Sequence, residues 1–135
     1  MSQENVELVR RLVDTFNVRD AAAAAAVLCS DAEWRPAYTG GGAVEGAVYR
    51  GPDGFRDYLE ELSETWAEAT GYVDELREVG DQVLLFGRMR VVGRTSGVQI
   101  EQPLAGKFSF RNDKIALAEY YLDRGQALEA VGLSE

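Results

Sequence analysis

QVLLFGRMRVVGRTSGVQIEQPLAGKFSFRNDKIALAEYYLD, residues Gln82–Asp123, is the stretch that decides the fold of this chain. Apolar and polar residues alternate along most of it, which is typical of β-strands that bury one face. Turn sequences at Thr95-Ser96 and Asn112-Asp113 divide the stretch, and Gly80-Asp81 marks a turn just before it. Strands are predicted at about 72–79, 82–93, 97–111 and 114–122. Because such short turns join neighbouring strands, the sheet is expected to be antiparallel.

Upstream of this sheet, the apolar residues recur at helical spacing, and capping residues mark where helices begin. The first predicted helix is capped by Ser2 and places Val6, Val9, Leu12, Val13 and Phe16 on its apolar face. A second runs from an Asp20 cap through the alanine run to about Cys29. A third begins at Gly51-Pro52 and is expected to bury Phe55, Leu59, Leu62, Trp66 and Ala69.

The rest of the chain completes an α+β pattern. Residues 32–36 favour a short strand, and residues 39–49 favour a loop or a small hairpin. Asp123 is predicted to cap a last, short helix that ends at Gly132. Helices followed by long, twisting strands predict a curved antiparallel sheet wrapped around the three N-terminal helices, with a cleft between them.

Length and charge limit the classes of function. The chain has 135 residues, which suits one domain over 1–135, and a formal net charge of −9. Nucleic acid is not an expected partner, because phosphate neutralisation needs clustered Lys and Arg. The chain has no histidine and one cysteine, Cys29, so no metal site and no internal disulfide are expected. The acidic N-terminus and the absence of a long apolar run favour a cytoplasmic protein that does not enter a membrane.

The tight turns also assign the strand registers, and with them the face on which each side chain lies. In this assignment Gly106 lies opposite Glu119. The face predicted to meet the helices is mainly apolar and contains Val83, Leu85, Met89, Val91, Val98, Ile100, Leu104, Phe108, Phe110, Ile115, Leu117 and Tyr121. Three polar residues, Gln102, Glu119 and Asp123, fall on the same face, beside Gly87 and Gly106, which leave room. Polar groups that converge on a roomy apolar site are typical of a pocket.

Each polar residue on this face has two possible roles. Glu119 either lines the pocket as a base, with its carboxyl desolvated by apolar neighbours, or pairs with an arginine. Asp123 is the alternative base, although its position favours capping of the last helix. Gln102 either holds a developing oxyanion, a role it would share with Tyr121, or is a satisfied core amide. The other candidate ligand contacts are Trp34, Tyr58, Met89 and Phe108, and core packing is the alternative for the aromatic ones.

Four motifs along the chain resemble those of one family. They are LVDTFNVRD (Leu12–Asp20), SDAEWRP (Ser30–Pro36), YRGPDGFRDYL (Tyr49–Leu59) and FSFRNDKIALAEYYLD (Phe108–Asp123). Their order and spacing resemble the SnoaL-like branch of the nuclear transport factor 2-like superfamily over essentially the whole chain. The resemblance implies a cone-shaped α+β fold, a deep pocket and a homodimer through the outer face of the sheet. Apolar residues predicted on that face agree with such a dimer: Leu84, Phe86, Val92, Ala118 and Tyr120.

The resemblance implies no single activity, because the superfamily includes polyketide cyclases, ketosteroid isomerases and pure binding proteins. The tyrosine, base and oxyanion-hole aspartic acid of the isomerases correspond to positions near Leu12, Pro36 and Gly106, so steroid isomerisation is not expected. Many SnoaL-like sequences carry a histidine where this chain has Gly106.

Two hypotheses from different classes remain. The first is proton transfer of cyclase or isomerase type on a small hydrophobic carbonyl compound, without a cofactor and with Glu119 or Asp123 as the base. The second is a non-catalytic module that binds a small hydrophobic molecule or serves dimerisation.

Overall fold

Two helices, four short strands and a third helix occupy the first half of the described chain, and long strands dominate the second half. The structure is a computed structural model and describes residues 2–39, 42–43 and 47–133. The helices are α1 (Ser2–Asn17), α2 (Ala21–Ala24), α3 (Gly51–Thr65) and α4 (Arg124–Ala130). The strands are β1 (Leu28–Arg35), β2 (Tyr38–Thr39), β3 (Gly42–Ala43), β4 (Tyr49–Arg50), β5 (Trp66–Val79), β6 (Gln82–Gly93), β7 (Gln99–Arg111) and β8 (Lys114–Tyr121). Among the described residues, no helix is both long and apolar enough to span a lipid bilayer.

One curved sheet of six strands, in the order β4-β1-β8-β7-β6-β5, organises the molecule. Its neighbours pair antiparallel, except that β1 and β8 run parallel. β2 and β3 form a separate antiparallel pair within the segment predicted as a loop or small hairpin, of which residues 40–41 and 44–46 lie outside the described part of the chain. The predicted α+β fold is confirmed, and the parallel β1–β8 pair is its one departure from a purely antiparallel sheet.

The apolar face of α1 packs into the inner, concave side of the sheet. Val9, Leu12 and Phe16 are at most 7% exposed, as their helical spacing predicted. The end of the helix is fixed by Asn17, whose Nδ2 donates to the carbonyl of Gly71 at 3.0 Å and whose Oδ1 accepts from the Gly71 N–H at 2.8 Å. This pair of hydrogen bonds ties the last turn of α1 to the middle of β5.

The second helix is shorter than predicted. Asp20 caps it as expected, since its side chain accepts from the Ala23 N–H at 3.0 Å. However, α2 ends at Ala24, and the chain enters β1 at Leu28, which pairs with Ile115 of β8. Pairing with the sheet therefore overrides the helix propensity that the alanine run shares with the residues after it.

The third helix begins at Gly51-Pro52, as predicted, and ends earlier than predicted. Gly51 adopts φ +68°, and a Cβ there would lie 2.5 Å from the Ser30 carbonyl oxygen, so the close approach to β1 requires glycine. Trp66 and Ala69 were expected in the buried stripe of this helix, but Trp66 already pairs with Gly93 in extended backbone, and both residues belong to β5. The buried residues of α3 are Gly51, Phe55, Tyr58, Leu59 and Leu62.

The predicted register is confirmed between β6 and β7 and is wrong along most of β8. Phe110 lies opposite Ile115, as predicted, but the next pair joins Ser109 to Leu117, so Ala116 is an extra residue in a β-bulge. Beyond a one-residue bulge, every side chain lies on the face opposite to the predicted one. The inner face therefore receives Ala118 and Tyr120, whereas Leu117, Glu119 and Tyr121 lie on the outer face.

The C-terminal helix packs on the outer face of the sheet. Asp123 caps it as predicted, with Oδ1 accepting from the Gln126 N–H at 2.9 Å. Gln126 completes the cap, because its Oε1 accepts from the Leu122 N–H at 3.1 Å. The guanidinium of Arg124 lies 3.9 Å from the centre of the Phe86 ring. One apolar cluster joins the helix to the sheet and contains Ala127, Leu128, Leu84, Phe86 and Ala105.

This packing removes most of the residues that agreed with a dimer. Leu84 and Phe86 are at most 5% exposed and lie under α4, while Ala118 and Tyr120 lie on the inner face. Leu84 and Phe86 are on the outer face as predicted but are covered by α4, whose packing there was not predicted, and the placement of Ala118 and Tyr120 on that face is wrong because of the bulge. Val92 remains on the outer face and is half-buried. The homodimer itself stays a prediction.

Candidate functional site

A narrow cleft lies between α1, α3 and the inner face of the sheet. Its volume is about 40 Å³, and it is partly open to solvent. That volume admits roughly three water-sized groups. The wall is apolar and aromatic and is formed by Leu12, Val13, Phe16, Trp34, Pro36, Ala37, Tyr58, Gly71, Tyr72, Val73, Leu85, Met89, Leu104 and Tyr120. Among these described residues there is no Asp, Glu, Lys, Arg or Cys.

Aromatic rings from different elements meet around Trp34 in the cleft wall. The centre of the Trp34 ring lies 5.4 Å from that of Tyr58 on α3, 5.1 Å from that of Tyr120 on β8 and 6.5 Å from that of Phe16 on α1. Phe55 meets the same indole edge-on at 4.9 Å. Offset and edge-to-face contacts of this kind are the preferred arrangements of aromatic pairs. Trp34, near the C-terminal end of β1, therefore links α1, α3 and β8.

Burial keeps two tyrosines of the wall in their neutral form. Desolvation raises the pKa of Tyr58 well above its ordinary value, and the neighbouring Tyr120 raises it further. Burial likewise raises the pKa of Tyr120. Both hydroxyls therefore retain their protons near neutral pH and act as hydrogen-bond donors or acceptors, not as bases.

The indole nitrogen of Trp34 differs from other buried polar atoms in its hydrogen bonding. It is buried, and the part of the chain that the structure describes offers it no acceptor within hydrogen-bond distance. Buried Trp N–H groups usually have a partner, and leaving a buried donor unsatisfied costs about 1–3 kcal/mol. The cleft wall thus contains a hydrogen-bond donor that the described protein does not use.

The residues just after α1 hold the adjoining wall in place. The Arg19 side chain donates to the carbonyl oxygens of Phe16 and, at 2.7 Å, of Ala69, and its guanidinium lies 4.8 Å from the centre of the Phe16 ring. Burial lowers the pKa of Arg19 from its ordinary value. Together with the bonds between Asn17 and Gly71, these contacts bind the C-terminal end of α1 to β5 beside the cleft, so two wall residues, Phe16 and Gly71, are preorganised.

Glu119 lies outside this cleft. Because of the bulge at Ala116, Glu119 is opposite Lys107 on the outer face, with Oε1 at 3.6 Å from Lys107 Nζ and Oε2 at 3.6 Å from Arg35 Nη1. The Tyr121 hydroxyl donates to Glu119 Oε1 at 2.7 Å, and burial together with this bond raises the pKa of Tyr121. The predicted place of Glu119 in an apolar pocket is wrong, and pairing with an arginine, its alternative, is observed. Its role as a base stays a prediction without the pocket that suggested it.

Three of the predicted ligand contacts do lie in the cleft wall. Trp34, Tyr58 and Met89 line it from β1, α3 and β6. Phe108 is fully buried next to them, edge-on to Tyr120 at 5.6 Å between ring centres, and belongs to the core instead of the wall.

The other predicted site residues lie apart from the cleft. Gln102 is on the inner face, opposite Met89 as predicted, but it is exposed and does not line the cleft. Tyr121 lies on the outer face, where the sequence had placed Tyr120. Asp123 is an exposed helix cap, which is the structural role that its position favoured. Its role as a base stays a prediction.

Tyr120 is the wall residue that sequence reasoning placed on the wrong face. Two adjacent tyrosines, at 120 and 121, fit either register equally well, so alternation alone cannot choose between them. The bulge shows only in the burial of Ile115 and Ala118, which are both fully buried although three positions apart, and no sequence signal marks it. A strand without a bulge would place them on opposite faces.

A second, wider hollow lies beside the cleft, between the end of β8 and α4. Its volume is about 650 Å³, and Pro36, Ala37 and Tyr120 line both cavities. Its polar wall includes Arg35 and Glu119, whose charges already face each other. Within the described residues, no group of three or more Cys, Asp or Glu side chains is placed to hold a metal ion.

Solved structures that share this arrangement define the fold class. One is a nuclear transport factor 2-like protein of unknown function from Burkholderia pseudomallei K96243, with 22% identity, coverage of 96% of this chain and 98% of that chain, and a TM-score of 0.75. A second, from Catenulispora acidiphila DSM 44928, has a ketosteroid isomerase-like fold and was solved in complex with trimethylamine; it has 14% identity, coverage of 94% and 93%, and a TM-score of 0.75. A third is TerC co-crystallised with polyporic acid, with 20% identity, coverage of 95% and 98%, and a TM-score of 0.74. The chain has the nuclear transport factor 2-like fold.

The family is defined by the sequence itself. The model of the SnoaL-like domain matches residues 9–118, which is most of the chain and includes most of the cleft wall. The protein therefore belongs to the SnoaL-like family, and the resemblance carried by its four motifs is confirmed. No curated protein matches the chain in sequence.

Proposed function

We propose that the protein binds a small, neutral and largely apolar molecule in the cleft and does not transform it by carboxylate-based proton transfer. The observation that carries this proposal is the composition of the wall. Its described residues are apolar or aromatic, and its ionisable side chains are tyrosines. A catalytic base would need a side chain that is deprotonated near neutral pH, such as a carboxylate, in contact with the ligand.

The same wall favours a neutral ligand over a charged one. Transfer of an ion from water into an apolar site is strongly unfavourable unless an opposite charge meets it there. Two cations lie next to wall residues, and both have partners: Arg19 is bound to two backbone carbonyls, and Arg88, over the Tyr72 ring, lies 3.7 Å from carboxylate oxygens of Asp74 and Glu101. The tyrosines of the aromatic cluster are neutral. The edge of a ring or a short chain inserted into the cleft of about 40 Å³, with most of the molecule at the open mouth, fits these constraints.

Two proteins of the same fold lend support. TerC was co-crystallised with polyporic acid, and the Catenulispora acidiphila protein was solved with trimethylamine. Both are distant in sequence, so they support the general capacity of this fold to bind small organic molecules and do not indicate a particular ligand.

Proton transfer by a carboxylate is the less supported hypothesis. Glu119 is held on the outer face by Lys107, Arg35 and the Tyr121 hydroxyl. Asp123 accepts from the Gln126 N–H as a helix cap. Neither belongs to the cleft wall, so non-catalytic binding, the alternative raised by the sequence, is the function that we propose.

The proposal is tested by blocking the cleft. Methylenecyclohexane is titrated against the protein, and binding is followed by the NMR shifts of the methyl groups of Leu12, Leu85 and Leu104. Val13→Phe adds volume to the wall and is expected to weaken binding at least about tenfold. The matched control is Val18→Phe, because Val18 follows α1, is 72% exposed and is not in the wall.

The control variant is expected to bind like the wild type. Absence of shifts at the wall methyl groups, or equal binding by the two variants, would contradict the proposed site.

A further inference from the structure

We propose that the indole N–H of Trp34 selects the ligand, so that the cleft takes a neutral molecule with a carbonyl-type oxygen in preference to a hydrocarbon of the same shape. This inference rests on the proposed function and goes beyond it by naming the polar group of the ligand and the atom that recognises it.

The first observation is the hydrogen-bonding state of the indole. Trp34 is 6% exposed and lines the cleft, and its Nε1 has no acceptor among the described residues. Buried hydrogen-bond donors in native proteins nearly always have a partner, so an unsatisfied donor requires an explanation. A ligand acceptor in the adjoining cleft provides it.

The second observation is what surrounds the indole elsewhere. The rings of Phe16, Phe55, Tyr58 and Tyr120 pack around it, with centres 4.9–6.5 Å away. The backbone of Trp34 is paired on both edges of β1, with β4 on one side and β8 on the other. The cleft is the space beside Trp34 that holds no protein atoms, so we place the additional acceptor there. Because Nε1 itself is buried, the acceptor reaches it when the cleft wall shifts locally.

Charge decides which acceptor fits. A carboxylate or phosphate would bring a negative charge into a wall without cations and into a chain of net charge −9. A ketone, quinone or lactone oxygen accepts the same hydrogen bond without that penalty. The apolar remainder of such a molecule would contact the surrounding aromatic and aliphatic wall.

The test compares two probes that differ in one group. Cyclohexanone carries C=O where methylenecyclohexane carries C=CH₂, so their shapes are closely matched. Each is titrated against the wild type and against Trp34→Phe, which keeps an aromatic ring and removes the donor. The ratio of the two affinities is the quantity of interest, because the different solvation of the probes cancels between the two proteins.

The expected result is a change in that ratio of about tenfold, from loss of one hydrogen bond whose donor would otherwise be left unsatisfied. An unchanged ratio would overturn the inference.

A second measurement needs no variant and decides the matter if Trp34→Phe does not fold. The indole N–H resonance of Trp34 in the ¹⁵N-labelled wild type is expected to move downfield with cyclohexanone and to move little with methylenecyclohexane. Trp66, at the start of β5 and outside the cleft wall, provides the reference resonance in the same spectrum. Equal shifts of the Trp34 resonance with both probes would refute its role as donor.

The two proposals fail in different ways. If methylenecyclohexane binds, Val13→Phe blocks it and the affinity ratio does not change, the cleft binds ligands and Trp34 does not select them. If neither probe perturbs the cleft, the proposed function is refuted and the role of Trp34 with it.

Discussion

Replacing Gly87 by alanine tests how closely β5 and β6 must approach each other beside the cleft. Gly87 pairs with Val73 on one side and with Leu104 on the other, and both of these residues belong to the cleft wall. A Cβ at Gly87 would lie 1.9 Å from the carbonyl oxygen of Tyr72, which is a backbone atom and cannot rotate away. The φ of Gly87 is not in the left-handed region, so the effect of the substitution is steric.

The size of the effect follows from that distance. Ordinary contact begins at about 3.4 Å, so the two strands would have to separate locally by about 1.5 Å, the difference between 3.4 and 1.9 Å. Overpacking typically costs about 1–3 kcal/mol, and each ladder hydrogen bond lost adds about 1 kcal/mol. We expect the Gly87→Ala variant to lose about 3 kcal/mol of unfolding free energy and roughly 10 °C in Tm.

Gly71→Ala in the neighbouring strand is the matched control. There the nearest atoms to an added Cβ are Asn17 Oδ1 at 3.7 Å and Val13 Cγ1 at 4.0 Å, which are ordinary contacts. This variant should be neutral or more stable by about 0.4–1 kcal/mol, because alanine restricts the unfolded chain. Urea and thermal unfolding followed by circular dichroism measure both. If Gly87→Ala is as stable as Gly71→Ala, the close approach of the strands described here is incorrect.

Three further predictions concern side-chain contacts. Asn17→Ala should lower the unfolding free energy by about 2 kcal/mol, because it removes both hydrogen bonds to β5. Asn17→Asp keeps the acceptor and should recover part of that loss, and a wild-type urea midpoint for Asn17→Ala would contradict the contact. Glu119→Gln should lower the unfolding free energy by about 1 kcal/mol, because Glu119 loses its attraction to the partly buried Arg35 and Lys107. Glu101→Gln, which removes an exposed pair with Arg88 at 3.7 Å, should leave the unfolding free energy almost unchanged, and equal losses would argue against the outer-face network. Burial and a hydrogen bond to Glu61 raise the pKa of Tyr49 to about 12, above an unfolded value of about 10, so its contribution to stability is complete below about pH 10 and is lost as the pH rises through 12. In urea unfolding, Tyr49→Phe should therefore reduce the fall of the unfolding free energy between pH 10 and 12, and an unaltered slope would refute this assignment.

Local patterns predicted those elements whose signals are self-contained. The β6–β7 register was predictable because one turn and an uninterrupted alternation fix it, and Met89 lies opposite Gln102 as expected. The caps at Asp20 and Asp123 were predictable because a short polar side chain at the start of a helix accepts from the N–H three residues later.

Features that depend on distant packing were not predictable in the same way. The length of α2 is decided by the pairing of Leu28 with β8, which lies almost ninety residues later in the chain. The bulge adds one residue, Ala116, to β8 without a partner on β7, and the alternation of apolar and polar residues in the sequence does not reveal it. The position of α4 on the outer face depends on Leu84 and Phe86, whose burial the sequence could equally assign to a partner. The predicted site failed at these points, because Glu119 and Tyr121 exchanged faces with Ala118 and Tyr120.

The bulge at Ala116 has a consequence for how such a protein could change over generations. Deleting that one residue would join Ile115 directly to Leu117, restore simple alternation and leave the later pairs of β8 with β7 as they are. Pairing β8 without the bulge at its present length would instead turn the tyrosine of the wall outward and bring the carboxylate of residue 119 into the apolar interior. A descendant of this chain could therefore lose three nucleotides there and keep a neutral interior, whereas substitutions that straighten the strand at its present length would exchange that interior for an acidic one.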